Sequence, residues 1–253
     1  MAQTGESPLA GLRTVVTGAS SGIGRAIAAA FAAAGARVGI GFCHSIEEAQ
    51  ALADELGGRG HALLQADLST SEGCTSIVKQ AFAAFETVEV WVNNAGADVL
   101  TGEAAQWPAE RKLEALLELD LKGTIRCSQL VAARMRSGGC ILNMGWDHAT
   151  IDGMAGDNPE LFAAVKAGVI GFSKSFARSV APGVRVNVVC PGWIETAYGA
   201  GVDRAFYDKV AARTPLRRWG RPEDVAGAAV WLASPAAAFV TGQALNVNGG
   251  ALG

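Results

Sequence analysis

The stretch Thr17-Gly18-Ala19-Ser20-Ser21-Gly22-Ile23-Gly24 decides how the rest of the chain reads. The β-branched run Thr14-Val15-Val16 enters it and an alanine-rich run from Arg25 to Ala34 leaves it, so it reads as strand, glycine turn and helix. Gly18 lets the backbone turn sharply. Gly22 leaves no side chain between the helix start and a bound pyrophosphate, and Gly24 permits close helix–strand packing. The unpaired N–H groups and positive dipole end of the helix then face the phosphates. The spacing is Gly-x3-Gly-x-Gly, not the Gly-x-Gly-x2-Gly of the usual dinucleotide fingerprint. A tight turn without a ligand therefore competes with the phosphate reading while the glycines stand alone.

Outward from this turn, apolar β-branched runs alternate with helical patterns. Strands are predicted at Val38–Phe42, His61–Gln65, Val88–Val92, Cys140–Met144, Val184–Val189 and Ala244–Val247. Helices are predicted at Ile46–Leu56, Ser71–Phe85, roughly Ala109–Met135, Glu160–Val180 and Pro222–Leu232. Such repeated β-α units imply one α/β domain over residues 1–253, a doubly wound, Rossmann-like parallel sheet with helices on both faces and ligands at the carboxyl ends of the strands. Two long irregular stretches, Gly145–Asn158 and Trp193–Arg213, are candidate functional loops.

The 253 residues are 50% hydrophobic and carry a formal net charge of −3. Without basic clusters, this balance argues against nucleic acid or an acidic membrane surface as a partner. The start of the chain lacks the apolar core of a signal peptide, and no apolar run is long enough to span a bilayer. The five cysteines, Cys43, Cys74, Cys127, Cys140 and Cys190, show no CxxC spacing and read as small core residues. A cytoplasmic protein without a metal site is expected.

Four further motifs stand in fixed order: Asn93-Asn94-Ala95-Gly96 after strand four, Pro191-Gly192-Trp193-Ile194-Glu195-Thr196 after strand six, Arg218-x-Gly220-x-Pro222-Glu223-Asp224-Val225-Ala226, and Thr241-Gly242-Gln243. With the glycine turn, they give the chain a resemblance to the short-chain dehydrogenase/reductase family over roughly residues 9–250. The resemblance implies a seven-stranded sheet, a bound NAD or NADP, a small-molecule substrate and a homotetramer or homodimer. It places Gly18, Ser20, Ser21, Gly22, Ile23, Gly24, Asn93, Asn94, Ala95, Gly96, Lys166, Pro191, Gly192, Ile194 and Thr196 at the cofactor, with Asp67 and Leu68 at the adenine. The end of strand two, Gly41-Phe42-Cys43-His44-Ser45, has no acid to hold a ribose 2′-hydroxyl. His44, Ser45 and Arg37 tolerate a 2′-phosphate, which favours NADP(H).

The family's chemistry, as the resemblance implies it, is hydride transfer assisted by a tyrosine, a lysine four residues later, a serine after strand five and an asparagine in the long helix. Here the lysine is Lys166, but the tyrosine position reads Phe162 and the asparagine position Asp120. The serine position reads Trp146, with Gly145 the other candidate. Three readings compete. In the first, an atypical oxidoreductase, Asp147, His148, Tyr198 or Tyr207 replaces the missing acid, and Trp107, Trp146, Trp193 and Phe162 wall an apolar pocket. In the second, a non-redox lyase, isomerase or cyclase uses Asp147, His148, Asp120 and Lys166. The third is a catalytically silent binding subunit.

Overall fold

The computed structural model describes residues 7–58, 60–100, 102–150, 153–154, 159–196 and 201–251. Seven strands form one parallel sheet: β1 (Arg13–Val16), β2 (Arg37–Phe42), β3 (Ala62–Gln65), β4 (Val90–Asn93), β5 (Gly139–Met144), β6 (Val184–Pro191) and β7 (Ala244–Val247). Their order across the sheet is β3-β2-β1-β4-β5-β6-β7. The order reverses between β1 and β4, which opens a crevice at their carboxyl ends. β6 runs beyond the expected Val189 because its last residues, Val188 to Pro191, pair with the whole of β7.

The helices are α1 (Gly22–Ala33), α2 (Ile46–Leu56), α3 (Ser71–Phe85), α4 (Ala109–Leu116), α5 (Thr124–Ala132), α6 (Pro159–Val180), α7 (Arg204–Arg213) and α8 (Pro222–Ala233). Ile27 and Phe31 of α1 pack with Val225, Ala229 and Leu232 of α8 on one face of the sheet. Ile77 and Phe82 of α3, Cys127 and Val131 of α5, and Ala177 of α6 fill the other. The cysteines are free thiols, all buried except the half-exposed Cys43. No helix among the described residues is long and apolar enough to cross a membrane.

The expected long helix after Pro108 is interrupted. Leu117–Gly123 between α4 and α5 is π-helical, and it turns both Asp120 and Gly123 inward. Gly123 lies against the loop after β3, where an added Cβ would stand 2.7 Å from the Leu68 carbonyl oxygen. Single π turns of this kind often mark functional sites. Here the turn delivers a carboxylate to the crevice.

Candidate active site

The glycine turn after β1 and the Asn94 turn after β4 are locked together. Asn94 Nδ2 donates to the carbonyls of Thr17 and Gly18 at 3.0 and 3.2 Å, and its backbone N–H donates to Thr17 Oγ1 at 2.9 Å. A Cβ at Gly24 would stand 2.2 Å from the Gly18 oxygen, so the helix approaches the turn more closely than any side chain allows. At Gly22 the backbone has φ +53, and among the described residues only Thr196 lies within 4 Å of an added Cβ, at 3.8 Å. Ser21, the N-cap of α1, makes no side-chain cap bond, so the first-turn N–H groups remain available to an anion.

Two adjoining cavities open here. One, of about 930 Å³, runs over the glycine turn. Gly18, Ser20, Ser21, Gly22, Ile23 and Gly24 line it, as do His44, Ser45, Asp67 and Leu68, and Asn94, Ala95 and Gly96. The other, of about 760 Å³, is bordered by Lys166, Pro191, Gly192, Ile194 and Asp120. Ile23, Asn94, Gly96 and Thr196 border both. The bare glycine cradle, the uncapped helix start and this volume fit a dinucleotide in the larger cavity.

Two residues expected at the cofactor, Asn93 and Arg37, lie elsewhere, and Trp107, expected on the aromatic wall, lines the larger cavity instead. Asn93 is buried inside the sheet, where it accepts from Trp91 Nε1 at 2.7 Å and donates to Ser128 Oγ and Asn143 Oδ1. Arg37 sits at the opposite end of β2 from His44, donating to the Gly60 carbonyl and lying over the Phe85 ring. Trp107 lines the larger cavity, under the Arg111 guanidinium at 3.8 Å, and not the aromatic pocket. Asp67 both borders the cavity and builds the turn before α3. Hydrogen bonds from the Ser69 hydroxyl and N–H hold its carboxyl below the usual carboxylate range.

The smaller cavity has an aromatic wall and an ionic floor. Trp146 meets Phe162 edge-on at 5.2 Å between ring centroids, and Trp193 lines the same space. At Gly145, the other candidate for the serine position, an added Cβ would stand 2.7 Å from Cys190 Sγ and 2.8 Å from Val188 Cγ1. Lys166 Nζ lies 2.8 Å from Asp120 Oδ2, donates to the Met144 carbonyl at 3.2 Å, and sits 5.2 Å from the Phe162 ring centroid. The Ala97 N–H donates to Asp120 Oδ1 at 2.8 Å, and the missing side chain of Gly96 leaves room for that carboxylate.

Asp147 and His148 border neither cavity. Asp147 is fully buried and accepts from the His148 N–H at 2.8 Å and from Asn248 Nδ2 at 3.3 Å. It ties the loop after β5 to the segment after β7, and burial pushes its carboxyl pKa up. His148 stands behind Trp146, ring centroids 5.0 Å apart, with Nδ1 3.1 Å from the Gly153 carbonyl oxygen. The expectation that either reaches a substrate is corrected on this geometry. So is the non-redox grouping of both with Lys166. Tyr207 is also outside: its hydroxyl donates to Glu195 and its ring stacks on Trp219. Tyr198 lies outside the described residues.

Comparison with known proteins decides the family. A family model described as enoyl-(acyl carrier protein) reductase matches residues 18–251. The 3-oxoacyl-(acyl-carrier-protein) reductase FabG of Escherichia coli is 38% identical over 239 residues, 93% of this chain and 95% of that protein. This chain belongs to the short-chain dehydrogenase/reductase family. Among solved structures, a short chain dehydrogenase from Burkholderia cenocepacia in complex with NADP is 33% identical with a TM-score of 0.86, covering 96% of this chain and 99% of that one. A blue fluorescent protein from a metagenomic library, in complex with NADPH, is also 33% identical with a TM-score of 0.87, covering 97% and 100%. Most residues singled out by the family resemblance border these two cavities. Lys112, which also borders the smaller cavity, was not among them, and its only signal in the sequence is a lysine on the inward stripe of α4.

Proposed function

We propose that this chain is an NADP(H)-dependent oxidoreductase acting on the carbonyl or alcohol of an apolar, ring-bearing small molecule, through a non-standard site. Phe162 stands in the family's tyrosine position, Trp146 in its serine position and Asp120 in its asparagine position. The observation that carries the proposal is the Lys166–Asp120 pair on the floor of a cavity walled by Trp146, Phe162 and Trp193.

The glycine turn, the α1 N-terminus, Asn94 and Thr196 would hold the dinucleotide, which when bound supplies or accepts the hydride at the substrate carbon. His44 and Ser45 at the exposed end of β2, with no acid in the stretch 41–45 itself, support the phosphorylated cofactor, as do the NADP and NADPH found in the two solved relatives. Lys166 has three N–H donors, of which Asp120 and Met144 take two. The third serves the substrate oxygen. As negative charge develops there, an N–H bond of Lys166 breaks and an O–H bond forms. The resulting amine remains beside Asp120 and is reprotonated from water. Trp146 orients the oxygen through its indole N–H, a donor that does not cycle a proton at neutral pH. The exposed Trp231 on α8 and Phe239 just beyond it suit a homo-oligomer contact.

The test is a titration with NADPH and NADH, followed by nicotinamide fluorescence, and then a screen of aryl ketones for hydride transfer. Micromolar binding with NADPH preferred, and turnover of at least one ketone, are expected. Binding of neither form by folded protein overturns the proposal.

A further inference from the structure

Helix α4 carries a lysine where its buried stripe should continue as an apolar residue. Residues Lys112, Leu116 and Asp120 follow one another at i, i+4 and i+8, and all three are buried. The Asp120 charge is met by Lys166. The Lys112 charge is met by no carboxylate among the described residues. The residue is 7% exposed, and its ammonium donates one hydrogen bond, to the Ala105 carbonyl at 2.7 Å. Two of its three donors are left, and the side chain borders the smaller cavity. A buried ammonium without a counter-charge is costly, and methionine or leucine would pack the same stripe without that cost. The neighbouring Arg111 serves a different space, lying over Trp107 in the larger cavity.

We infer that Lys112 recognises a carboxylate on the substrate, at the end remote from the reacting carbonyl. This rests on the reading of the smaller cavity as the substrate site. Asp120, which shares the cavity, does not fill the role, because it is held by Lys166 and the Ala97 N–H. Lys112 and Asp120 are eight positions apart, four of the steps in the π turn Leu117–Gly123, so the α-helical rise of ~1.5 Å per residue bounds their separation along the helix at about 12 Å. A carboxylate at Lys112 and a carbonyl at Lys166 therefore lie on the order of 10 Å apart, with Val99, Leu116, Leu161 and Phe162 lining the space around them. The class of ligand is a flat or apolar keto acid with its two functional groups at opposite ends.

The probe is an acetylnaphthoic acid with the acetyl and carboxylate groups at opposite ends of the fused rings, compared with its methyl ester. Affinity is read from quenching of tryptophan fluorescence, with and without NADPH. The full chain should bind the acid at least about tenfold more tightly than the ester. Lys112→Met should reduce that preference to less than about twofold, and Lys112→Arg should keep it. Without ligand, Lys112→Met should melt at a higher temperature than the unmodified chain, because it removes the uncompensated charge. Equal affinity for acid and ester, no binding of either, or a preference that survives Lys112→Met overturns the inference. Acid preference without NADPH binding or turnover would defeat the oxidoreductase reading and leave the anion site standing. Ketone reduction without acid preference would do the reverse.

Discussion

Breaking the Lys166–Asp120 pair tests the site at its most buried point. The two side chains are 7% and 1% exposed and their charged atoms are 2.8 Å apart. Lys166→Met leaves a buried carboxylate whose remaining contact is the Ala97 N–H. Asp120→Leu leaves a buried ammonium whose remaining contact is the Met144 carbonyl. Each single change should cost ~3–5 kcal/mol, because it strands a charge. The double variant strands none and should lie within about 2 kcal/mol of the unmodified chain, so the coupling energy should exceed about 3 kcal/mol. Equilibrium urea unfolding reads this as a shift in midpoint at constant slope. A coupling below about 1 kcal/mol would mean that no charged pair holds Lys166. The assignment of the proton to Lys166 would then fall.

Three shorter tests bear on the rest of the site. Phe162→Tyr brings a hydroxyl beside Lys166 and should raise NADPH-dependent reduction of a simple diketone by roughly a hundredfold; an unchanged rate would show that this position does not meet the substrate. His148→Ala should keep turnover within about threefold, since His148 borders neither cavity, whereas a loss of about a hundredfold would return the proton to histidine. Burial raises the Asp147 pKa, so ionisation costs the fold stability: the cost is absent below the ordinary value of 3.8 and grows as pH rises from there toward the folded-state pKa. Asp147→Asn keeps an acceptor for the His148 N–H. Its urea midpoint should exceed that of the unmodified chain at neutral pH and match it under strong acid, and a lower midpoint at neutral pH would contradict this.

What the sequence disclosed and what it hid divide along a physical line. The strands and the glycine turn were legible because both are local: β-branched runs set the first, and a Cβ forbidden at Gly24 by the Gly18 oxygen sets the second. Asn93, Asp147 and His148, which lie away from the two cavities, are neighbours of residues that border them. Asn93 and Asn94 are adjacent in an extended segment, so their side chains part: one into the sheet, the other onto the glycine turn. Trp146 is extended too (φ −152, ψ 139), and it lines the cavity while Asp147 turns to Asn248. Adjacency along the chain read Trp146-Asp147-His148 as one functional face, and the backbone separates them. The π turn was hidden for another reason. It depends on Gly123 meeting the Leu68 carbonyl, a contact between segments 55 residues apart that no local pattern records.

On the proposed reading, the substitutions around Lys166 form one electrostatic arrangement. A family tyrosine beside this lysine can ionise and meet its charge. Phe162 cannot. With an asparagine at position 120, the ammonium of the buried Lys166 would have only neutral partners among the described residues. Asp120 supplies the missing negative charge at 2.8 Å, so the loss of the phenol and the gain of the carboxylate offset each other. Neutralised in this way, Lys166 presents no excess charge to the cavity, and Lys112 becomes the cation that a substrate can complement. The two lysines thus divide the work. One is held in place by the protein's own carboxylate and given to the reacting oxygen. The other is left for a carboxylate that arrives with the ligand.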